Sequence, residues 1–248
     1  MMDHSLYTIQ QLDELSNSSE YSRDYKHMNI RMNAIKDAAL ALGAQSGLAN
    51  ESKKIDDKLF SYSSKLDKVF DFNQLLINQN VLPPVISESH NSVNMGDGAQ
   101  SFRLLGHTYK IIRQVKFVTA PPTWRKYLFM RYGKPALPNR ILLPVNKLES
   151  DVWENNINLG WKTGVNQAFN IYKINISRLV RDYVGMLLYK KLVSEGIISP
   201  VYVLKKDNGI TGDKNRVNID DRVYEIKNHP ELQANNHLWK PIIGDSDE

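Results

Sequence analysis

Cysteine is absent from the 248 residues. That excludes a disulfide framework, a thiol nucleophile and any zinc site built on thiolates. A chain without thiols suits the periplasm and is equally tolerated in the cytoplasm. Long hydrophobic runs are missing as well. The longest, Ala38 to Ala44, falls far short of the roughly 18 apolar residues needed to cross a bilayer. The start, Met1-Met2-Asp3-His4, lacks the basic-then-apolar order of a secretion signal. There is no dense block of one charge either. Lys and Arg number 32 against 27 Asp and Glu, giving a net charge of +5 and a pI near 9.1, yet the largest basic clusters are the pairs Lys53-Lys54 and Lys190-Lys191. Positive charge scattered in this way describes a solvated surface, so nucleic acid is not expected as a partner.

The motif search is similarly sparse. Neither a Gly-x-x-x-x-Gly-Lys phosphate loop nor a Gly-x-Gly-x-x-Gly turn occurs. Gly43-Ala44-Gln45-Ser46-Gly47 is not a nucleophile elbow, because it lies inside a helical pattern and not at a strand-to-helix turn. The six histidines, His4, His27, His90, His107, His229 and His237, are dispersed singly. His229 and His237 with Glu231 could pinch a metal, but their spacing matches no regular ligand geometry. The neighbouring carboxylates Asp56-Asp57 and Asp220-Asp221 point apart in a helix or strand, whereas acid-base pairs must face one substrate. No catalytic residue, metal ligand or cofactor is therefore assigned, and no enzymatic activity is expected.

What remains is the composition of an ordinary globular protein, with 42% hydrophobic and 24% charged residues. At this length the chain can bury a substantial core unaided. Residues 1–22 are polar and read as a flexible arm, residues 23–240 as a single α+β domain, and residues 241–248 as a polar tail. From Tyr25 to Phe70 the apolar residues Met28, Met32, Ile35, Ala39 and Leu42, then Leu48, Ile55, Leu59, Tyr62, Leu66 and Val69, recur at helical steps. The small-residue zone Gly43 to Gly47 lets another backbone approach or bends the helix. Asp71 to Leu76 reads as a short helix that stops before Pro83-Pro84. Turn signals at Asn94 to Gly98 precede a strand over Phe102 to Val118, where Tyr109, Ile111, Arg113, Val115 and Phe117 alternate with their neighbours. Thr123 opens a short helix with Trp124, Tyr127 and Leu128, and a loop punctuated by Pro135, Pro138 and Pro144 follows.

Helical spacing returns from Asn146 to Glu195, with a break expected near Asn170 to Ser177 and a stop at Gly196. Within it, Gly160, Gly164 and Ala168 share one ridge, and helix glycines costing up to about 1 kcal/mol each imply a close neighbour. Val201 to Leu204 and Val217 to Ile226 read as strands, joined by a turn at Asp207-Asn208-Gly209. The sum is α+β, with long helices packed on a small antiparallel β-sheet. Trp239, next to Pro241 in the polar tail, is the aromatic suited to touching a partner, and these two residues are the contact candidates.

Several segments taken in order also resemble a known family. They are Arg31-x-x-Ala34-x-x-x-Ala38-Ala39-x-x-Leu42-Gly43-Ala44-Gln45, Pro83-Pro84-Val85, and Ala120-Pro121-Pro122-Thr123-Trp124-Arg125-Lys126-Tyr127-Leu128. Leu142-Leu143-Pro144 then precedes Trp153, Gly160-Trp161-x-x-Gly164-x-x-Gln167-Ala168 and Arg178-Leu179-x-Arg181-Asp182-x-x-Gly185-Met186. The set resembles the DotC lipoproteins of type IVB (Dot/Icm) secretion systems, related to a conjugation-transfer protein of IncI plasmids. The resemblance implies a structural part of the outer-membrane core complex used in effector translocation and virulence. It further implies a periplasmic location, a DotD-type lipoprotein and a DotH-type protein as partners, and anchoring to the outer membrane by an N-terminal lipid. The lipid-bearing cysteine of that family is missing here, so the chain reads as a processed or truncated soluble portion. A periplasmic module binding peptidoglycan or another anionic glycan is the alternative, and a concave pocket with convergent polar groups would favour it.

Overall fold

A computed structural model of the chain describes residues 7–14, 28–77, 80–95 and 102–239. The protein is α+β, as expected, and forms two compact units. The first draws on residues 1–69 and 124–177, the second on residues 70–123 and 178–248.

In the first unit, helix α1 (Ile9–Glu14) precedes helix α2 (Met28–Ser61), which is followed by α3 (Ser63–Val69) and, after the second unit's insertion, by α4 (Trp124–Leu128) and the start of α5 (Lys147–Ser194). Ile35, Ala39 and Leu42 of α2 form a core with Trp153 and Ile157 of α5, all of them buried, and Tyr7, Ile9, Leu143 and Trp161 close over it. The two helices approach until their backbones touch. A Cβ added to Gly160 would overlap the Leu40 carbonyl oxygen and stand 2.9 Å from the Ala44 nitrogen. One added to Gly164 would overlap the Ala44 carbonyl and stand 2.7 Å from the Leu48 nitrogen. The relation is mutual, since Cβ atoms at Gly43 and Gly47 would overlap the carbonyls of Ile157 and Trp161. Two Gly-x-x-x-Gly faces thus interlock, which is the close neighbour that the ridge implied. Dispersion contacts along such a seam replace the side-chain packing that glycine lacks.

The arm expected over residues 1–22 is partly structured. Thr8 and Gln11 form a capping box, with the Thr8 N–H donating to Gln11 Oε1 (3.0 Å) and the Gln11 N–H to Thr8 Oγ1 (3.4 Å). Tyr7 and Ile9 then pack on the α2–α5 core. Residues 1–6 and 15–22 lie outside the described residues. At the other end of this stretch the apolar stripe runs out of partners. α3 has no buried residue, and Tyr62 and Val69 are exposed.

Helix α5 also corrects the expected break, because it is continuous through Asn170 to Ser177. No proline or glycine falls between Val165 and Val184 to interrupt it. Its end is where Gly196 was expected to place it. Gly196 adopts φ 71°, its N–H donates to Val193 O (3.1 Å), and the Ile197 N–H reaches Leu192 O (2.9 Å). That pair of bonds is a Schellman motif, and Ile197 packs on the cluster containing Leu192.

Among the described residues the strands fall in the second unit, antiparallel and arranged as three two-stranded ribbons instead of one sheet. β1 (Val81–Leu82) pairs with β4 (Lys116–Phe117), β2 (Val85–Met95) with β3 (Phe102–Arg113), and β5 (Tyr202–Gly212) with β6 (Val217–Asn228). The long strand expected over Phe102 to Val118 therefore splits after Arg113, its last residues serving a different ribbon. β2 was not foreseen, since Ser87-Glu88-Ser89-His90-Asn91-Ser92 has little strand character of its own. A short 3-10 helix, Phe72–Leu75, starts at Asp71, whose Oδ1 accepts from the Asn73 N–H (3.0 Å). Ile86, Tyr189, Leu192 and Ile198 make the core, with Tyr109 and Ile111 packed against them. Gly185 lets α5 lie on β2, as its Cβ would stand 2.6 Å from the Ile86 carbonyl oxygen.

The β5–β6 connection differs from expectation. Asp207-Asn208-Gly209 lies inside β5, where the register slips between Asp207 and Gly209 and again before Thr211. Gly209 (φ 68°) takes the left-handed conformation of a bulge. The reversal comes later, at Asp213 to Arg216, where Asp213 Oδ1 accepts from the N–H groups of Asn215 (2.8 Å) and Arg216 (3.0 Å). Turn chemistry and bulge chemistry use the same residues, and strand pairing chose between them.

Candidate functional site

Several polar residues of the segments that resembled DotC are tied into the structure. Arg31 Nε and Nη2 grip the Glu149 carboxylate (2.9 and 3.1 Å) while Nη1 and Nη2 reach the carbonyls of Ile141 and Leu143. Burial pushes the Glu149 acid up. The Arg31 hydrogen bonds, the Val145 N–H, the Arg31 charge and Asn146 together outweigh it and leave it below its ordinary value. Asp67 receives the Trp124 indole N–H (2.7 Å) and a two-pronged Arg125 guanidinium (2.5 and 3.0 Å), which also lies 4.4 Å from the Trp124 ring. The Arg125 bonds first, then the Trp124 bond, hold Asp67 below the usual carboxylate range. Asp182, only 2% exposed, is bridged by Arg113 on one oxygen and Arg181 on the other. The first two pairs clamp helix to helix and the third a strand to a helix, and in none of them does a base face a nucleophile.

The exposed features lie elsewhere. The β5–β6 ribbon contains no buried residue over its 11 and 12 residues, yet Tyr202, Leu204, Ile210, Val217, Ile219 and Val223 are exposed, Ile210 and Ile219 by 73% and 74%. No third strand joins it among the described residues. In the same unit Val180, Val184 and Leu187 are exposed at helical spacing on α5. Trp239, the sequence-derived contact candidate, is 40% exposed, and its indole N–H folds back to donate to Gln233 O (2.9 Å). Pro241 lies outside the described residues.

One cluster of potential ligands was not anticipated. His90 and His107 stand directly opposite across β2 and β3, with Glu88 two residues along on β2. Glu88 Oε1 lies 3.2 Å from His107 Nδ1 and 3.6 Å from His90 Nε2, and the two imidazoles meet edge to face at 4.6 Å. The His107 hydrogen bond lowers the Glu88 acid, a slight burial opposes it, and the Tyr109 hydroxyl and both imidazoles lower it further. Tyr109 is itself packed against the unit's core. In the sequence these histidines are 17 positions apart, and only the pairing of β2 with β3 brings them together. His229, Glu231 and His237 form no comparable group.

The family model that matches the chain, over residues 29–241, is that of the type IV secretory system, conjugal DNA-protein transfer. No curated protein matches it. The match corrects the DotC resemblance, because the family is one of conjugal transfer and not a DotC family. The segments that suggested DotC include the interlocking glycines and one side of each ion-pair clamp described above. Such residues report how elements pack, and they do not distinguish which secretion apparatus a chain serves. The chain belongs to the type IV secretory system family of conjugal DNA-protein transfer.

Proposed function

We propose that the chain is a non-enzymatic structural component of a conjugal type IV secretion apparatus that works by presenting surfaces to neighbouring proteins. The β5–β6 ribbon carries this reading. A two-stranded ribbon alone is marginally stable in water, and this one adds six exposed large apolar side chains without a core beneath them. Pairing of its edges, or burial of its apolar residues, against another protein would supply the missing stabilisation. The exposed Val180, Val184 and Leu187 offer a second face of the same kind.

We place the chain in the periplasmic part of the apparatus. Its partners are then other structural proteins of the same conjugal apparatus. The direct test puts a photo-crosslinking residue at Ile219 in donor cells, with Gly106 as the comparison site on β3. Covalent adducts to another apparatus component from Ile219 alone are expected. Replacing Ile210 and Ile219 with Asp should abolish those adducts and lower transfer frequency while the chain accumulates normally. Normal transfer with this double variant, and no adduct from Ile219, would remove the ribbon from the assembly and the proposal with it.

A further inference from the structure

We infer that Glu88, His90 and His107 form a binding site for a borderline divalent transition ion, with Zn2+ the natural probe. A tetrahedral ion with bonds of about 2.0–2.1 Å separates its ligand atoms by about 3.3–3.4 Å. The carboxylate oxygen of Glu88 sits 3.2 and 3.6 Å from the two facing imidazole nitrogens, so both separations already bracket that edge length. All three ligand atoms lie within 4.8 Å of one another. Little rearrangement is needed to close them around an ion, and the fourth position opens to solvent and water.

The ligand set is chemically selective. Two imidazoles and one carboxylate suit Zn2+, Cu2+ or Ni2+, whereas Ca2+ and Mg2+ demand oxygen ligands in greater number. The scaffold holds the set in place. His90 and His107 are fixed in register across the ribbon, and Tyr109, packed against the core, stands directly opposite Glu88 on the paired strand. Tyr109 is thus a positioning residue, orienting a ligand without touching the ion. A bound ion would tie β2 to β3 through their side chains, adding a cross-link to a ribbon only two strands wide.

The experiment is calorimetric titration of ZnCl2 into the untagged full chain, with hydrogen exchange of the β2–β3 amides as a second readout. One Zn2+ per chain is expected, unaffected by millimolar Ca2+ or Mg2+, with slower exchange over residues 86–91 and 105–111. The double variant His90→Gln, His107→Gln should lose affinity by roughly 100-fold or more, and Tyr109→Phe by roughly 10-fold, the lower end of what an orienting partner contributes. Both histidines are exposed, so the double variant folds, and Tyr109→Phe keeps the ring that packs on the core; circular dichroism verifies both. The inference is overturned if zinc does not saturate at one per chain. It is equally overturned if the double histidine variant binds as tightly as the wild type, which would put the ion on other histidines. If only the ordinary hydrogen bond between His107 and Glu88 matters, zinc leaves the exchange rates unchanged, and that result too rejects the site.

Discussion

Replacing Gly164 with alanine sets two effects of opposite sign against each other. Alanine favours a helix interior over glycine by about 1 kcal/mol, so on propensity alone the variant gains stability. The new methyl group, however, has nowhere to go. It would overlap the Ala44 carbonyl oxygen and stand 2.7 Å from the Leu48 nitrogen and 2.9 Å from the Ala44 carbonyl carbon, all of them backbone atoms of α2. A flexible side chain could turn aside, but a helix backbone cannot. α2 and α5 must separate, and separation also loosens the contacts at Gly43, Gly47 and Gly160 that depend on the same approach. Overpacking of this kind costs typically about 1–3 kcal/mol, and here it falls on rigid atoms at several positions at once, so the upper end or beyond applies. The net expectation is a loss of about 2–3 kcal/mol, seen as a fall in Tm of roughly 4–12 °C for a chain of this size. Gly106→Ala is the control, because no atom lies within 4 Å of its built Cβ, and it should change stability by less than about 0.5 kcal/mol. Thermal and urea unfolding followed by tryptophan fluorescence measure both. A Gly164→Ala variant as stable as the wild type, or more so, would show that the helices do not meet as described and would refute the argument.

Asp182→Ala leaves Arg113 and Arg181 without their shared carboxylate; both arginines are partly exposed and can regain water, so a loss of about 1–3 kcal/mol is expected in urea unfolding, below that of a fully buried pair. Glu149 is held below its ordinary value in the folded chain, so its contribution is fully present above the unfolded carboxyl value and fades as pH falls through the lowered one; Arg31→Met should flatten the stability profile on the acid side of the ordinary carboxylate range. Gly196→Ala places a side chain at φ 71° in the α5 terminus and should cost about 1 kcal/mol, whereas Gly196→Asn, which tolerates that conformation, should cost less when both are compared by thermal unfolding.

The helices were legible because their information is local. Ile35, Ala39, Leu42, Ile55 and Leu59 recur at helical steps and are all buried, and Gly196 ends α5 where its backbone conformation requires it. The Gly160–Gly164 ridge could even be read as a contact face, since helix glycines without a packing reason are costly. The alternation of Tyr109, Ile111 and Arg113 likewise marked β3. β2 was invisible because its residues are polar and its strand form depends on pairing with β3. The two histidines and Glu88 came together through that pairing alone.

The sequence by itself determined the α+β class, the existence of the long helices and the glycines that let two of them touch, because periodicity and backbone sterics act over a few residues. Tertiary structure decided which helix fills the Gly43–Gly47 groove, whether Asp207-Asn208-Gly209 makes a turn or a bulge, and where the strand after Phe102 changes partners. It also decided which arginines meet Asp67, Glu149 and Asp182. Each of these is a choice among distant partners of nearly equal local merit, and only the packing of the whole unit makes one of them lower in free energy than the others.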